Sequence, residues 1–356
     1  MNTNKIVNRP IRVLITDDSP SARELLKAIL ESSPDLDVIG VAKNGLQAVQ
    51  LAKQLAPDIV TMDIYMPEMD GYQATRQIME EIPRPIIMIT ASFDKGETDL
   101  TFKAIQAGAL SVLSKPSMNA PPETFDFLIS QVKLMSEVKV IRRWRRSATK
   151  KTTHSRLLST DYQTSVPPSH QGVEVIGIAS STGGPGALAT ILGALPANFS
   201  RPILVVQHIT KGFGLSLVSW LNSQIKLPVK LGQHGGKIRD GQVIIAPDDY
   251  HMTVDNRKRI ILSKTSPYQG TRPSANYLFS TLAKVYGNKA VGIILTGMGS
   301  DGAKGMLAMQ QVGAQTIAQN EASCVVFGMP AAAINLKAVE QVLPLTTIPL
   351  ALMSIR

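Results

Sequence analysis

Two groups of residues in this chain have the types and spacing to do chemistry. The first is acidic: Asp17 and Asp18, then Asp63, joined further along by Thr90 and Lys115. Crowded carboxylates repel one another unless a hard cation sits among them, and Mg²⁺ takes oxygen ligands in octahedral geometry. With a metal on Asp17, Asp18 and Asp63, and with Thr90 and Lys115 holding an incoming phosphoryl group, one carboxylate can act as nucleophile and form an aspartyl phosphate. Asp63 is the best candidate, because it leads into the turn Met66-Pro67-Glu68-Met69-Asp70-Gly71. Any one of these aspartates alone is more readily a helix cap. The full set is not.

The second group begins with the run Ser180-Ser181-Thr182-Gly183-Gly184-Pro185-Gly186. Its glycines let backbone pass close to a ligand, Pro185 suits the first turn of a helix, and a hydroxyl placed there faces open N–H groups. Nucleotide binding does not fit. The spacing is not G-x-G-x-x-G, no acid follows about 20 positions on, and near Gly297 Ala303 stands where a P-loop needs lysine. Hydrolysis fits better, since His208 and Asp301 also follow apolar runs, and Ser, His and Asp on one edge are what a triad requires. The chain order is unusual and no G-x-S-x-G elbow is present. His154 and His170 fall in a polar stretch and His234 in a Gly-rich turn, which leaves His251 as a rival to His208.

These residues need elements to hold them. Residues 11 to about 135 alternate β-branched runs with helical patterns, with strands expected at 11–16, 37–42, 58–62, 86–90 and 110–114. That pattern is a doubly wound parallel sheet, and its chemistry belongs outside the carboxyl ends of the strands. A second α/β domain starts at Val173, with strands expected at 173–179, 202–207, 243–246, 259–262 and 290–296. The fold class is therefore α/β, with two doubly wound parallel-sheet domains at 9–136 and 172–356, tethered by a linker at 137–171.

Composition agrees. At 356 residues and 44% hydrophobic content, two full cores are affordable in length alone. The single cysteine, Cys324, rules out an internal disulfide and reads as a small buried hydrophobe. Residues 1–10 lack the apolar core of a signal peptide, and no run reaches the ~18–20 apolar residues of a membrane span, so the expected compartment is the cytoplasm without direct membrane insertion. The net charge of +10 sits mostly between Lys133 and Arg156, where nine basic residues meet one acid, Glu137. A non-enzymatic regulator touching nucleic acid through this stretch is the alternative reading, but no nucleic-acid-binding module accompanies it. No nucleic-acid partner is therefore expected.

The first domain resembles the receiver domain of two-component response regulators, which is flavodoxin-like. The resemblance rests on Asp17-Asp18-Ser19, Met62-Asp63-Ile64-Tyr65-Met66-Pro67, Thr90-Ala91 and Lys115-Pro116. It implies Mg²⁺ on Asp17, Asp18 and Asp63 and phosphotransfer from a histidine kinase. Val112 departs from the pattern, standing where many receivers carry a switching Tyr or Phe.

The second domain resembles the catalytic domain of the chemotaxis protein-glutamate methylesterases, the CheB family. Matching segments are Ala179 to Gly184, Val206-Gln207-His208, Ile245-Ala246-Pro247, Arg272-Pro273-Ser274, Leu295 to Ala303 and Val325 to Pro330. The resemblance selects Ser181 over Ser180 as nucleophile, His208 as base and Asp301 as its orienter. It puts backbone N–H groups around Thr182 and Met298 in the oxyanion hole and requires no cofactor in this domain. It implies hydrolysis of glutamyl methyl esters, with deamidation of glutamines, on methyl-accepting chemotaxis receptors, under control of phosphate on Asp63. Departures are Thr210 for a proline, Thr271 and Asn276 where the family often has His and Asp, and Ala331 for an arginine.

Overall fold

The structure is a computed structural model and describes residues 9–91, 98–138, 140, 172–209, 211–268 and 270–355. The basic linker, with His154 and His170, and Thr210 lie outside the described residues.

In the first domain, strands rich in Ile and Val alternate with amphipathic helices. They are β1 (Ile11–Thr16), α1 (Pro20–Glu31), β2 (Leu36–Ala42), α2 (Gly45–Leu55), β3 (Ile59–Met62), α3 (Gly71–Glu81), β4 (Ile86–Thr90), α4 (Thr98–Ala107), β5 (Ser111–Ser114) and α5 (Pro122–Ser136). The strands form one parallel sheet in the order β2-β1-β3-β4-β5. One face buries Leu14, Val60 and Met88 against α2, α3 and α4, and the other buries Val13, Ile15 and Ile87 against α1 and α5. All five expected strands are present, with ends displaced by no more than one residue.

The second domain runs β6 (Val175–Ser180), α6 (Gly184–Ala194), β7 (Ile203–Gln207), α7 (Gly214–Gln224), β8 (Val229–Leu231), β9 (Val243–Ile245), β10 (His251–Val254), β11 (Ile260–Ser263), α8 (Ala275–Tyr286), β12 (Ala290–Ile294), α9 (Ala303–Gln311), β13 (Gln315–Gln319), α10 (Met329–Asn335), β14 (Gln341–Leu343) and α11 (Ile348–Met353). Seven of these strands make a parallel sheet in the order β14-β13-β12-β6-β7-β9-β8. The expected strand at 259–262 is not among them. As β11 it pairs antiparallel with β10 in a separate hairpin, with only Ile260 fully buried. Helices α6, α7 and α11 cover one face of the sheet, while α8, α9, α10 and the hairpin cover the other.

The strand order reverses around β6, with β12 on one side and β7 on the other. Open α/β sheets bind ligands outside the carboxyl ends of the strands at such a reversal. Ser181, His208 and Asp301 follow these three strands. The α4–β5–α5 face of the first domain lies against this rim, with Ile105 packed onto the α6/α7 core and Val326 onto the first domain's core. Among the described residues no helix is long and apolar enough to cross a membrane.

Candidate active site

The two adjacent serines end up in different surroundings. Ser180 is fully buried at the end of β6 and its hydroxyl donates to Gln207 Oε1 at 2.6 Å. The Gln207 amide in turn donates to the carbonyls of Ser181 at 2.8 Å and His208 at 2.7 Å, tying the two rim loops together. Ser181 lies one residue beyond, partly exposed, and lines a cavity. Gly183 follows with φ 77°, a left-handed conformation that favours glycine, and Gly184 opens α6 with Pro185 in its first turn. The N–H groups of Thr182 and Met298 donate no hydrogen bond among the described residues.

Asp301 is buried and surrounded by donors. Its Oδ1 accepts from the Ser274 hydroxyl at 2.6 Å, the Asn276 amide at 2.9 Å and Asn276 N–H at 3.2 Å. Its Oδ2 accepts from Ala275 N–H at 2.6 Å and lies 2.9 Å from His208 Nε2. The carboxylate therefore sits at the N-terminus of α8, where free N–H groups and the helix dipole favour negative charge. Burial pushes its pKa up, yet the bonds from His208 and Ser274, with the His208 charge and Ala275 N–H, outweigh it and hold the carboxyl below its ordinary range. Asn276, one of the departures from the family's pattern noted in the sequence, supplies a neutral donor to this carboxylate and accepts from Gly305 N–H at 2.7 Å.

The rival histidine is accounted for otherwise. His251 is fully buried, stacks on Tyr277 at 4.0 Å and accepts Ser274 N–H on Nδ1 at 3.1 Å. Its Nε2 therefore carries the proton and faces the Ser266 carbonyl at 3.2 Å. Burial pushes its pKa down, and the Ser266 bond only partly reverses this. His251 is a neutral strut behind Ser274, not a group at the cavity wall.

Ser181, Thr182, His208 and Met298 share a cavity of about 430 Å³ whose other wall is the first domain. The Ser181 hydroxyl makes no hydrogen bond with His208, against the expectation that all three side chains bond in a row. Such contacts are commonly long before substrate binds and tighten in the complex. Sequence reasoning missed the supporting parts played by Gln207 and Ser274. The one available signal for Gln207 was a polar residue ending an otherwise apolar strand.

In the first domain Lys115 Nζ lies 2.7 Å from Asp17 and 2.8 Å from Asp63. Burial, the largest influence, raises the Asp63 pKa against the lowering pull of Lys115, while Lys115 itself is raised because its two carboxylate partners outweigh its burial. Asp63 Oδ1 accepts Ile64 N–H at 2.7 Å, and Asp17 Oδ1 accepts Ser19 N–H at 2.9 Å. Helix capping is done by other residues: Ser19 caps α1, Asn44 caps α2 and Asp70 caps α3. Ligand oxygens of Asp17, Asp18 and Asp63 lie within 4.8 Å of one another, a donor set that fits a hard divalent cation. Thr90, at the end of β4, is buried on the same edge.

The response regulator receiver family matches residues 13–121, and the CheB methylesterase family matches residues 176–352. A protein-glutamate methylesterase/protein-glutamine glutaminase of Syntrophus aciditrophicus is 46% identical over 94% of this chain and 95% of its own length. The chain belongs to the CheB methylesterase family. A relative of the same name in Nitrosospira multiformis is 44% identical over 96% of both chains. The crystal structure of the Thermotoga maritima CheB methylesterase catalytic domain matches 51% of this chain and 97% of its own, at 39% identity and a TM-score of 0.50. This chain thus joins a receiver to a methylesterase domain, and both α/β domains read from the sequence are accounted for.

Proposed function

We propose that this chain is a phosphorylation-activated serine hydrolase that cleaves glutamate γ-methyl esters on chemotaxis receptors, releasing methanol, and deamidates receptor glutamines. Both activities stand in the names of relatives matched over nearly the whole chain. The observation that carries the residue roles is that Ser181 and His208 open onto one cavity at the strand-order reversal, with buried Asp301 bonded to His208 behind it.

In this reading Ser181 Oγ attacks the ester carbonyl. Because Asp301 occupies Nε2 of His208, Nδ1 is the ring nitrogen that takes the serine proton and later returns it to the departing methoxide. Asp301 fixes that tautomer and stabilises the imidazolium. The N–H groups of Thr182 and Met298 are the donors for the oxyanion. Water then cleaves the glutamyl-serine ester by the same route in reverse. Neither step calls for a cofactor in this domain.

Asp17, Asp18 and Asp63 would hold Mg²⁺, which screens the charge of an incoming phosphoryl group. Asp63 takes that group from a histidine kinase, and Lys115 and Thr90 contact its oxygens. With the receiver lying over the active-site rim, phosphate on Asp63 acts by favouring an arrangement in which the rim is free. The chain works in the cytoplasm, where receptor signalling helices and kinase are found together.

The test is methanol release from methylated receptor by the full chain. Wild type treated with acetyl phosphate and Mg²⁺ releases it, and Ser181→Ala releases none. Asp63→Asn loses the stimulation by acetyl phosphate. Equal release by wild type and Ser181→Ala would overturn the assignment.

A further inference from the structure

The oxyanion donors proposed above are backbone N–H groups, and a backbone N–H points wherever its peptide plane is turned. In a trans peptide the C=O and the N–H point in opposite directions, so whatever holds the carbonyl aims the N–H. For Met298 the carbonyl in question is that of Gly297, which accepts from Gly328 N–H at 3.1 Å and Met329 N–H at 2.9 Å. Main chain alone holds that peptide. For Thr182 the carbonyl is that of Ser181. It accepts from Gly184 N–H at 2.8 Å across the turn and from a side chain, Gln207 Nε2, also at 2.8 Å.

The Gln207 amide is 3% exposed and is engaged at both ends. Its Oε1 accepts the Ser180 hydroxyl at 2.6 Å, and its Nε2 gives one hydrogen to the Ser181 carbonyl and the other to the His208 carbonyl at 2.7 Å. The reverse orientation would set Oε1 against two carbonyl oxygens, so the network fixes which end donates. Gly184 leaves the amide no room to swing, since a Cβ added there would lie 2.0 Å from Oε1. Gln207 thus draws the Ser181 carbonyl inward. The Thr182 N–H, which donates to no other group among the described residues, is turned outward to the cavity that Ser181 and His208 line.

We propose that Gln207 is a positioning residue for ester cleavage: by holding the Ser181 carbonyl it aims the Thr182 N–H at the oxyanion. This rests on the reading of Ser181, His208 and the two oxyanion N–H groups given above. Gln207 itself touches none of the reacting atoms. Full negative charge appears on the ester oxygen only as Ser181 adds to the carbonyl carbon, so an N–H aimed there favours the transition state over the bound substrate. Its loss belongs in kcat and not in KM. Gln207 also holds the His208 carbonyl, but the imidazole has its own anchor in Asp301.

The experiment measures methanol release from methylated receptor by the full chain with acetyl phosphate and Mg²⁺, at a temperature where circular dichroism shows the variants folded. Gln207→Met keeps the side-chain length and removes all three bonds. It should lower kcat by roughly 10²-fold, the scale of one lost oxyanion donor, and leave KM within about twofold of wild type. The pH midpoint of kcat should stay at the wild-type value, because the His208–Asp301 pair is untouched. Gln207→Met also strands the buried Ser180 hydroxyl, and adding Ser180→Ala removes that orphan, so the double variant should regain thermal stability and not kcat. If Gln207→Met is unfolded at the assay temperature, the double variant compared with Ser180→Ala alone gives the same kcat reading. Wild-type kcat in the Gln207 variants would overturn the proposal, since Gly184 alone would then hold the peptide. So would a loss confined to KM, a pH midpoint that moves with kcat, or a double variant that recovers kcat along with stability. Ser181→Ala separates this from the underlying reading. If it is inactive while the Gln207 variants match wild type, only the positioning role falls, and if it still releases methanol, the site itself has been misread.

Discussion

Ser180 and Ser181 differ by one position and by everything that matters for reactivity. Ser180 spends its hydroxyl on Gln207, which in turn orients the carbonyls of Ser181 and His208. Replacing it with alanine leaves the Gln207 carbonyl oxygen buried without that donor, a cost of about 1–3 kcal/mol. Ser180→Ala should therefore melt lower yet keep measurable esterase activity, whereas Ser181→Ala should melt near wild type and be inactive. Thermal melts beside methanol release decide between these outcomes. His251 acts one bond further back, through Ser274 to Asp301. His251→Ala removes the acceptor of Ser274 N–H and should lower kcat with little change in KM, while His251→Asn, which places an amide oxygen near the lost Nδ1, should recover part of it. Strict additivity with Ser274→Ala would argue against this relay. Asp301 also carries a pH signature. Its folded pKa lies below the ordinary value of 3.8, so its contribution to stability is complete above that pH and is lost as pH falls through the lower folded value. Ser274→Ala removes one of the donors that depress it and should move acid unfolding, followed by circular dichroism, to higher pH. His208 and Asp301 were legible in the sequence because each ends an apolar run. Gln207 and Ser274 were not, because their partners lie 27 residues away across neighbouring elements.

At the scale of elements, the turn from β6 into α6 holds Ser181, the nucleophile we propose, and it works only if backbone and side chains approach closely. A methyl group on Gly184 would strike Gln207 Oε1 and come within 2.8 Å of the Ser180 hydroxyl and Cβ, which is backed by the sheet and has no room to shift. Gly184→Ala should therefore break the Ser180–Gln207 bond and remove most esterase activity. Gly186→Ala, two residues along with nothing within 4 Å, should be close to wild type in methanol release. The strands that lead to the proposed site residues were read correctly because a fully buried parallel strand is a continuous apolar run, as in Ile203–Gln207 and Ala290–Ile294. The strands that failed to register are short or polar. β8 and β14 span three residues each, and β13 reads Gln-Thr-Ile-Ala-Gln, with Gln315, Thr316 and Gln319 buried. β11 reads as a sheet strand because an apolar run of three residues looks the same in a hairpin as in a sheet, and only β10 opposite it settles which.

For the whole molecule the proposed control raises the question of how phosphate on Asp63 would reach a rim in another domain. Val112 stands at the position where many receivers carry a switching Tyr or Phe; it is 7% exposed and, being β-branched, has little rotamer freedom. The signal then passes through a shift of whole elements, and α4 is one of those that pack against the second domain. It follows β4, whose last residue Thr90 lies on the phosphoryl edge, and it presents Ile105 to the core beneath α6 and α7. The covered state is then held by apolar contact, and its weak point is Ile105. Placing a carboxylate there half-buries a charge against the apolar core beneath α6 and α7, and even a partly hydrated charge costs several kcal/mol. An equilibrium lying about 99:1 towards the covered form is inverted by roughly 5.5 kcal/mol and brought to balance by half of that. Ile105→Asp should therefore raise receptor demethylation without phosphodonor towards the level of acetyl-phosphate-treated wild type, with little further stimulation by acetyl phosphate. Ile105→Val, which keeps the contact apolar, should stay repressed. Methanol release from methylated receptor measures both, and an Ile105→Asp protein that remained as repressed as wild type would mean that α4 does not hold the two domains together.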